Sequence, residues 1–206
     1  MKVGIIDYGA GNLRSVHNAL RKLGVEPEIF SSPLGLDSCD KIILPGVGAF
    51  GDSVRCMHDR GLFDPVKAWL NAGRPFLGIC VGYQLLFESG EEGPGIAGLG
   101  FLEGSVRRFP DDAGLKVPHM GWNRVNVTDP EAALWNGWPK DPHLYFVHSY
   151  FPDPVDRSII SSTTDYAGEF ASSVQVGDIH GVQFHPERSQ SLGLRLLGNF
   201  VGAANS

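Results

Sequence analysis

Cys80 closes the apolar run Pro75-Phe76-Leu77-Gly78-Ile79 and precedes Val81-Gly82-Tyr83-Gln84-Leu85-Leu86-Phe87, a stretch with helix-like composition. The string Gly78-Ile79-Cys80-Val81-Gly82 reads G-x-C-x-G, the thiol counterpart of the G-x-S-x-G elbow. In that elbow two glycines permit a tight turn around a strained nucleophile. A thiol at a helix N-terminus is favoured as thiolate, and the free N–H groups there can hold a developing oxyanion. A lone cysteine is more often a buried structural thiol, so the glycine context carries this reading.

A nucleophile needs a base. Gln183-Phe184-His185-Pro186-Glu187 follows the strand-like run from Ile179 to Phe184. In extended chain, residues i and i+2 point to the same side, and a proline biases the residue before it toward extended geometry. His185 and Glu187 are therefore expected as neighbours, with the acid orienting the imidazole. The chain order Cys–His–Glu differs from that of the α/β-hydrolases, where the acid precedes the histidine. A third feature, Leu44-Pro45-Gly46-Val47-Gly48-Ala49-Phe50-Gly51, also ends an apolar strand. Its glycines let backbone N–H groups approach a ligand or reorient, as an oxyanion strand requires. Gly9-Ala10-Gly11-Asn12-Leu13 has no third glycine at the offset that a dinucleotide fingerprint needs.

These residues must be positioned by a scaffold. Apolar runs at Val3–Ile6, Lys41–Leu44 and Pro75–Ile79 each lead into glycines and then a helix-like stretch. Continuous apolarity without alternation is what a parallel strand covered on both faces needs. The helices expected are Asn12–Leu23, Ser53–Ala72 with a break near Gly61, Val81–Glu88 and Ser191–Ala203. Beyond Gly104 strands dominate: Ser105–Phe109, Trp122–Thr128, Leu144–Tyr150, Ile159–Thr163 and Ala171–Phe184, the last folded at Gly177-Asp178. The fold class expected is α/β, a doubly wound and mostly parallel central sheet flanked by helices, with an antiparallel extension in the C-terminal half. All 206 residues are expected to form a single domain.

Composition narrows the function classes. With 17 Lys and Arg against 23 Asp and Glu and no cationic run, a nucleic-acid partner is not expected. No apolar stretch approaches the ~20 residues that span a bilayer, and an acid at Asp7 comes too early for a signal-peptide core. The chain is therefore expected in the cytoplasm, away from membranes. The three cysteines form no C-x-x-C pair and the seven histidines lack ligand spacing, so no metal is expected.

Taken together, Gly78-Ile79-Cys80-Val81-Gly82-Tyr83-Gln84 and His185-Pro186-Glu187 resemble the class I triad glutamine amidotransferases. Within that family the chain is most similar to the glutaminase subunits of imidazole glycerol phosphate synthase. The strings Asp7–Leu13, Leu44–Gly48, Pro118–Asn123 and Tyr145–Tyr150 carry that likeness over nearly the whole chain. Phe151, Arg188 and Gln190 depart from it, standing where Tyr, Lys and Gly are common. The resemblance implies that Cys80 attacks the side-chain amide of glutamine, His185 gives the proton to departing ammonia, and Glu187 steers His185. It implies oxyanion N–H groups at Val47, once that peptide has turned over, and at Val81. Gly48, Gln84 and Glu92 match positions that hold the amino-acid end of the substrate, with Ser149 and Tyr150 a backbone segment beside it.

The resemblance also implies a partner, a (β/α)8-barrel cyclase subunit that consumes the ammonia to form imidazole glycerol phosphate and aminoimidazole carboxamide ribotide. No cofactor is implied. The sequence offers Asn12, His119, Met120, Trp122 and Asn123, in expected loop or strand-end positions, as an interface. Two other readings share the motifs: a glutaminase subunit serving pyridoxal phosphate or anthranilate synthesis, and a non-catalytic binding subunit that kept the fold.

Overall fold

The computed structural model describes residues 1–111 and 114–202. Its largest sheet has eight strands in the order β2-β1-β3-β4-β13-β12-β11-β8. Five run parallel: β2 (Glu28–Phe30), β1 (Val3–Ile6), β3 (Lys41–Gly46), β4 (Phe76–Cys80) and β13 (Ile179–Val182). β12 (Glu169–Val176), β11 (Ile160–Asp165) and β8 (Asn126–Val127) extend it antiparallel, and the β12–β13 turn is Gly177-Asp178. The antiparallel C-terminal extension expected from the sequence is therefore present. β1, β4 and β13 are buried along their whole length, the condition that a run of apolar residues without alternation encodes.

Strand order dictates where the helices go. The connection from β1 to β2 through α1 (Leu13–Lys22) moves one way along the sheet. The connection from β3 to β4 through α2 (Phe50–Asp59) and α3 (Phe63–Asn71) moves the other way. Right-handed crossovers of opposite direction put their helices on opposite faces. Accordingly α1 packs with α5 (Gln190–Val201), while α2 packs with α3 and with α4 (Val81–Gln84). The direction reverses between β1 and β3, and the carboxyl ends of strands beside such a reversal form a crevice. Cys80 ends β4 and Gly46 ends β3, in register with each other.

Two smaller sheets cover that edge. One has the order β10-β6-β5, from β10 (Tyr150–Pro154), β6 (Leu102–Arg108) and β5 (Phe87–Gly90). The other pairs β7 (His119–Arg124) with β9 (His143–His148). None of the helices among the described residues is long and apolar enough to cross a membrane.

Three expected elements change. The helix expected over Val81–Glu88 lasts one turn, because the chain beyond it bonds to a distant segment. The carbonyls of Leu85, Leu86, Phe87 and Glu88 accept N–H groups from residues 98–102, and Phe87 begins a strand. The strand expected over Trp122–Thr128 is two strands in different sheets, divided at Val125, whose N–H bonds to the Pro142 carbonyl. The helix expected over Ser53–Ala72 starts earlier, at Phe50, while the break expected near Gly61 is present, with Gly61 at φ 65° between α2 and α3. Ala203, the expected end of the last helix, lies outside the described residues.

Candidate active site

Cys80 occupies an elbow. Its φ of 55° and ψ of −109° are unusual for a residue with a side chain. Such a conformation costs about 1–3 kcal/mol and persists only where the surroundings enforce it. They do so through two glycines. A Cβ on Gly82 would stand 1.8 Å from the Leu44 carbonyl oxygen, and one on Gly78 would stand 2.5 Å from the Gly82 carbonyl oxygen. α4 can press onto β3 and β4 only where side chains are missing. With one helical turn beyond Cys80, the macrodipole expected from a longer helix shrinks, but the free N–H groups of the first turn remain.

His185 reaches the same edge from β13. Its backbone is extended (φ −103°, ψ 96°), as the following proline favours. Its N–H donates to the Tyr145 carbonyl at 2.8 Å, and its own carbonyl accepts from Ser189 Oγ at 2.7 Å. Ser189 Oγ in turn accepts from the Tyr145 N–H at 3.0 Å, so one hydroxyl ties the segment to β9. His185 Nδ1 lies 2.9 Å from Glu187 Oε1, and the carboxylate is fully buried. The expected pairing is there, but its cause is different. Pro186–Arg188 form a 3₁₀ turn, so the acid curls back to the ring instead of emerging beside it along an extended strand.

The charges are interdependent. Burial of the His185 ring pulls its pKa down. Negative charge on Cys80 and a polar contact with it, then the hydrogen bond and charge of Glu187, outweigh burial and raise the value to about 10. Nε2 of His185 has no hydrogen bond of ordinary geometry, so the pull of Cys80 on it is electrostatic, short of a well-aligned bond. Gln183 Nε2 donates to Cys80 Sγ at 3.6 Å. Gln84 Nε2 donates to Gln183 Oε1 at 3.2 Å and to the Tyr150 carbonyl at 3.0 Å. Gln183 escaped the sequence reading, although its spacing was available, since on a strand it shares a face with His185 two residues later.

A cleft of about 490 Å³ opens in front of Cys80. Its walls include Val47, Gly48, Cys80, Val81, Gln84, Glu92, Ser149 and Tyr150, which the sequence reading assigned separately, and also His148, which it did not. Gly48 has φ 102°, open to glycine, and Val47 is 41% exposed, so this strand end is not locked by packing. Glu92 Oε2 accepts the Phe50 N–H at 2.8 Å, which ties the Glu92 loop to the start of α2.

The residues assigned to an interface divide. Met120 (63% exposed) and Trp122 (47%) project from β7 to solvent, whereas Asn12 and Asn123 are half-buried. His119 is 3% exposed and stacks on Tyr166 and Phe146, so its side chain is an interior group and not a surface contact. Alternation along β7 accounts for this, since residues 120 and 122 face away from 119. Among the described residues, none of the groupings of His, Cys, Asp and Glu could hold a metal ion.

Residues 4–203 match the family model for class-I glutamine amidotransferases. The chain is 49% identical over 201 residues to imidazole glycerol phosphate synthase subunit HisH of Rhodopirellula baltica, covering 98% of this chain and 97% of that one. It is 47% identical over 200 residues to the HisH subunit of Microcystis aeruginosa, covering 97% and 94%. Among solved structures, the PurLQS structure from Thermotoga maritima superposes with a TM-score of 0.78 at 19% identity, covering 99% of each chain. A glutamine amidotransferase crystal structure gives 0.76 at 21% identity with the same coverage, so in both the likeness is one of fold. A thiol on a strained elbow beside a buried His–Glu pair, on a chain matched nearly end to end, makes this protein a member of the class-I glutamine amidotransferase family.

Proposed function

We propose that this chain is the glutaminase subunit of an imidazole glycerol phosphate synthase, releasing ammonia from glutamine for use in histidine biosynthesis. The observation that carries the reading is Cys80 at its elbow, open to the cleft and backed by the buried His185–Glu187 pair. High identity to HisH subunits over nearly the whole chain supports the choice of synthase.

In this reading Cys80 Sγ attacks the side-chain amide carbon of glutamine, and the carbonyl oxygen takes up the negative charge. N–H groups of Val47 and Val81 receive that oxyanion, the first after the Gly46–Val47 peptide turns. The His185 imidazolium gives its Nε2 proton to the amide nitrogen as the C–N bond breaks, leaving ammonia and a thioester. His185, now neutral, takes a proton from water as it attacks the thioester, and glutamate leaves with the thiol restored. Glu187 stabilises each imidazolium and fixes the ring. Gly48, Gln84, Glu92 and the Ser149–Tyr150 backbone hold the amino-acid end of the substrate.

The ammonia passes to a (β/α)8-barrel cyclase subunit, for which Met120, Trp122, Asn12 and Asn123 are the proposed contacts. The chain acts as a single domain in a cytoplasmic heterodimer. Its three cysteines are free, which accords with a reducing compartment. The test is mass spectrometry after treatment with a glutamine-shaped diazo-ketone amino acid, with and without the cyclase. One adduct, on Cys80, formed faster in the complex, is the expected result. Labelling spread over Cys39 and Cys56, or none with the cyclase present, overturns it.

A further inference from the structure

The Tyr150 carbonyl at the cleft accepts from Gln84 and also has His148 Nδ1 at 2.8 Å. A carbonyl only accepts, so Nδ1 of His148 carries the proton and Nε2 of the neutral ring must accept. Its neighbour is His119 Nδ1 at 3.0 Å, which therefore donates and leaves His119 Nε2 as an acceptor. That nitrogen faces Asn123 Nδ2 at 3.2 Å, an amide nitrogen that only donates. The Asn123 amide is itself fixed, since Nδ2 also donates to the Asp165 carbonyl at 3.0 Å and Oδ1 accepts the Arg124 N–H at 2.7 Å. One set of tautomers satisfies every atom, and the donors all run the same way, from Asn123 through His119 and His148 to Tyr150.

An imidazolium at His148 would set two donors against each other across 3.0 Å, so the pair works neutral. Burial agrees, pushing His119 down to about 4 and His148 to about 3. Both rings sit among aromatic neighbours: His119 stacks on Tyr166 at 3.9 Å and Phe146 at 4.8 Å, and Phe109 leans on His148 at 5.2 Å. Apolar rings would fill that space without requiring four matched polar atoms. What the imidazoles add is a donor aimed at one backbone oxygen of the cleft.

We propose that His119 and His148 are positioning residues: their one-way hydrogen-bond chain holds the Ser149–Tyr150 backbone in the geometry that receives the amino-acid end of glutamine. This rests on the cleft being the glutamine site.

The test exploits the two ends of the imidazole. Asparagine can present its amide where Nδ1 was, whereas glutamine presents it where Nε2 was. His119→Asn and His148→Asn thus keep the donor toward the next member of the chain, and His119→Gln and His148→Gln lose it. Cys80 labelling is timed in the full-length chain with a glutamine-shaped diazo-ketone and with iodoacetamide, which has no amino-acid end. Loss of one neutral hydrogen bond in binding is worth about tenfold. The Gln variants are expected to label about tenfold more slowly with the diazo-ketone and within twofold of the parent with iodoacetamide. The Asn variants are expected to recover most of the loss. Nitrogen NMR of the unsubstituted chain is expected to find Nδ1–H tautomers at both rings. Equal effects on both reagents, no effect on either, or an Nε2–H tautomer at either ring overturns the proposal. An unsubstituted chain whose diazo-ketone labelling is not slowed by added glutamine overturns the glutamine reading itself, and is seen before any variant is made. Two positions are used so that a failure to fold at one leaves the other informative.

Discussion

Replacing Glu187 with glutamine removes a charge and almost nothing else. The side chain is fully buried and the amide is nearly isosteric with the carboxylate, so packing is preserved. What changes is the 2.9 Å contact to His185 Nδ1. A hydrogen bond to a charged group is worth about 1.5–3 kcal/mol and a neutral one about 0.5–1.5 kcal/mol, so the difference is about 1–2 kcal/mol. If the amide oxygen faces Nδ1, that difference falls on every step that needs an imidazolium, and glutamate release drops by about 5- to 30-fold. If the amide nitrogen faces Nδ1 instead, it pins the wrong tautomer and the loss is larger. About fivefold is therefore the floor. The same energy lowers the His185 pKa, because a negative partner that favoured the charged ring is gone, by about one unit or more from about 10. The assay is glutamate release by the complex at saturating glutamine, alongside an NMR titration of the His185 ring in the parent and Glu187→Gln chains. A change of less than threefold in turnover, with the His185 midpoint unmoved, would refute the assignment of Glu187 as the group that steers the base.

Three further outcomes follow from the geometry. Gly82→Ala drives a methyl group against a backbone oxygen 1.8 Å away, which neither α4 nor β3 can relieve cheaply. A loss of about 3 kcal/mol, read as a fall in melting temperature of about 6–12 °C, is expected, and an unchanged melt contradicts it. Glu92→Ala removes the acceptor of the Phe50 N–H and a carboxylate from the cleft wall. Its expected effect is a KM for glutamine raised about tenfold with kcat within threefold, since binding is lost and not chemistry. Stability falls on acidification because His119, His148 and His180, depressed by burial to about 4, 3 and 4, take up protons only on unfolding. From about pH 6.5 down to about 4 each ring costs about 1.4 kcal/mol per pH unit. His185 has the opposite sign, losing its contribution between about pH 6.5 and its folded value of about 10, so it leaves the acid limb alone. Denaturant melts at pH 7, 6 and 5 in the parent and in His180→Asn measure the slope, which is expected to be shallower in the variant.

Much of the site was legible in the amino-acid string because its parts are local. The elbow needs glycines two residues either side of Cys80, and backbone sterics alone demand them. Unbroken apolar runs at β1, β3 and β4 encode strands buried on both faces, and the hairpin at Gly177-Asp178 is written in the turn residues themselves. What the string does not contain is where a carbonyl finds its partner. The second turn of the helix expected after Gln84 gave way because residues 98–102 offered the carbonyls of residues 85–88 other donors. The Trp122–Thr128 run was divided because two sheets competed for it.

The same distinction runs through the chemistry. Residue types and spacing picked out the proposed nucleophile, base and acid, since each is a local pattern with a chemical reason. Tertiary structure alone decided that a 3₁₀ turn, not an extended strand, brings Glu187 to His185, and that Gln183 reaches the sulphur. It also decided that His119 lies inside, in a chain of hydrogen bonds ending at Tyr150, while Met120 and Trp122 face out. Hydrogen bonds between residues 29 and 99 positions apart depend on how strands are ordered and registered. Strand order is fixed by the free energy of the whole fold, so no short stretch of sequence carries it.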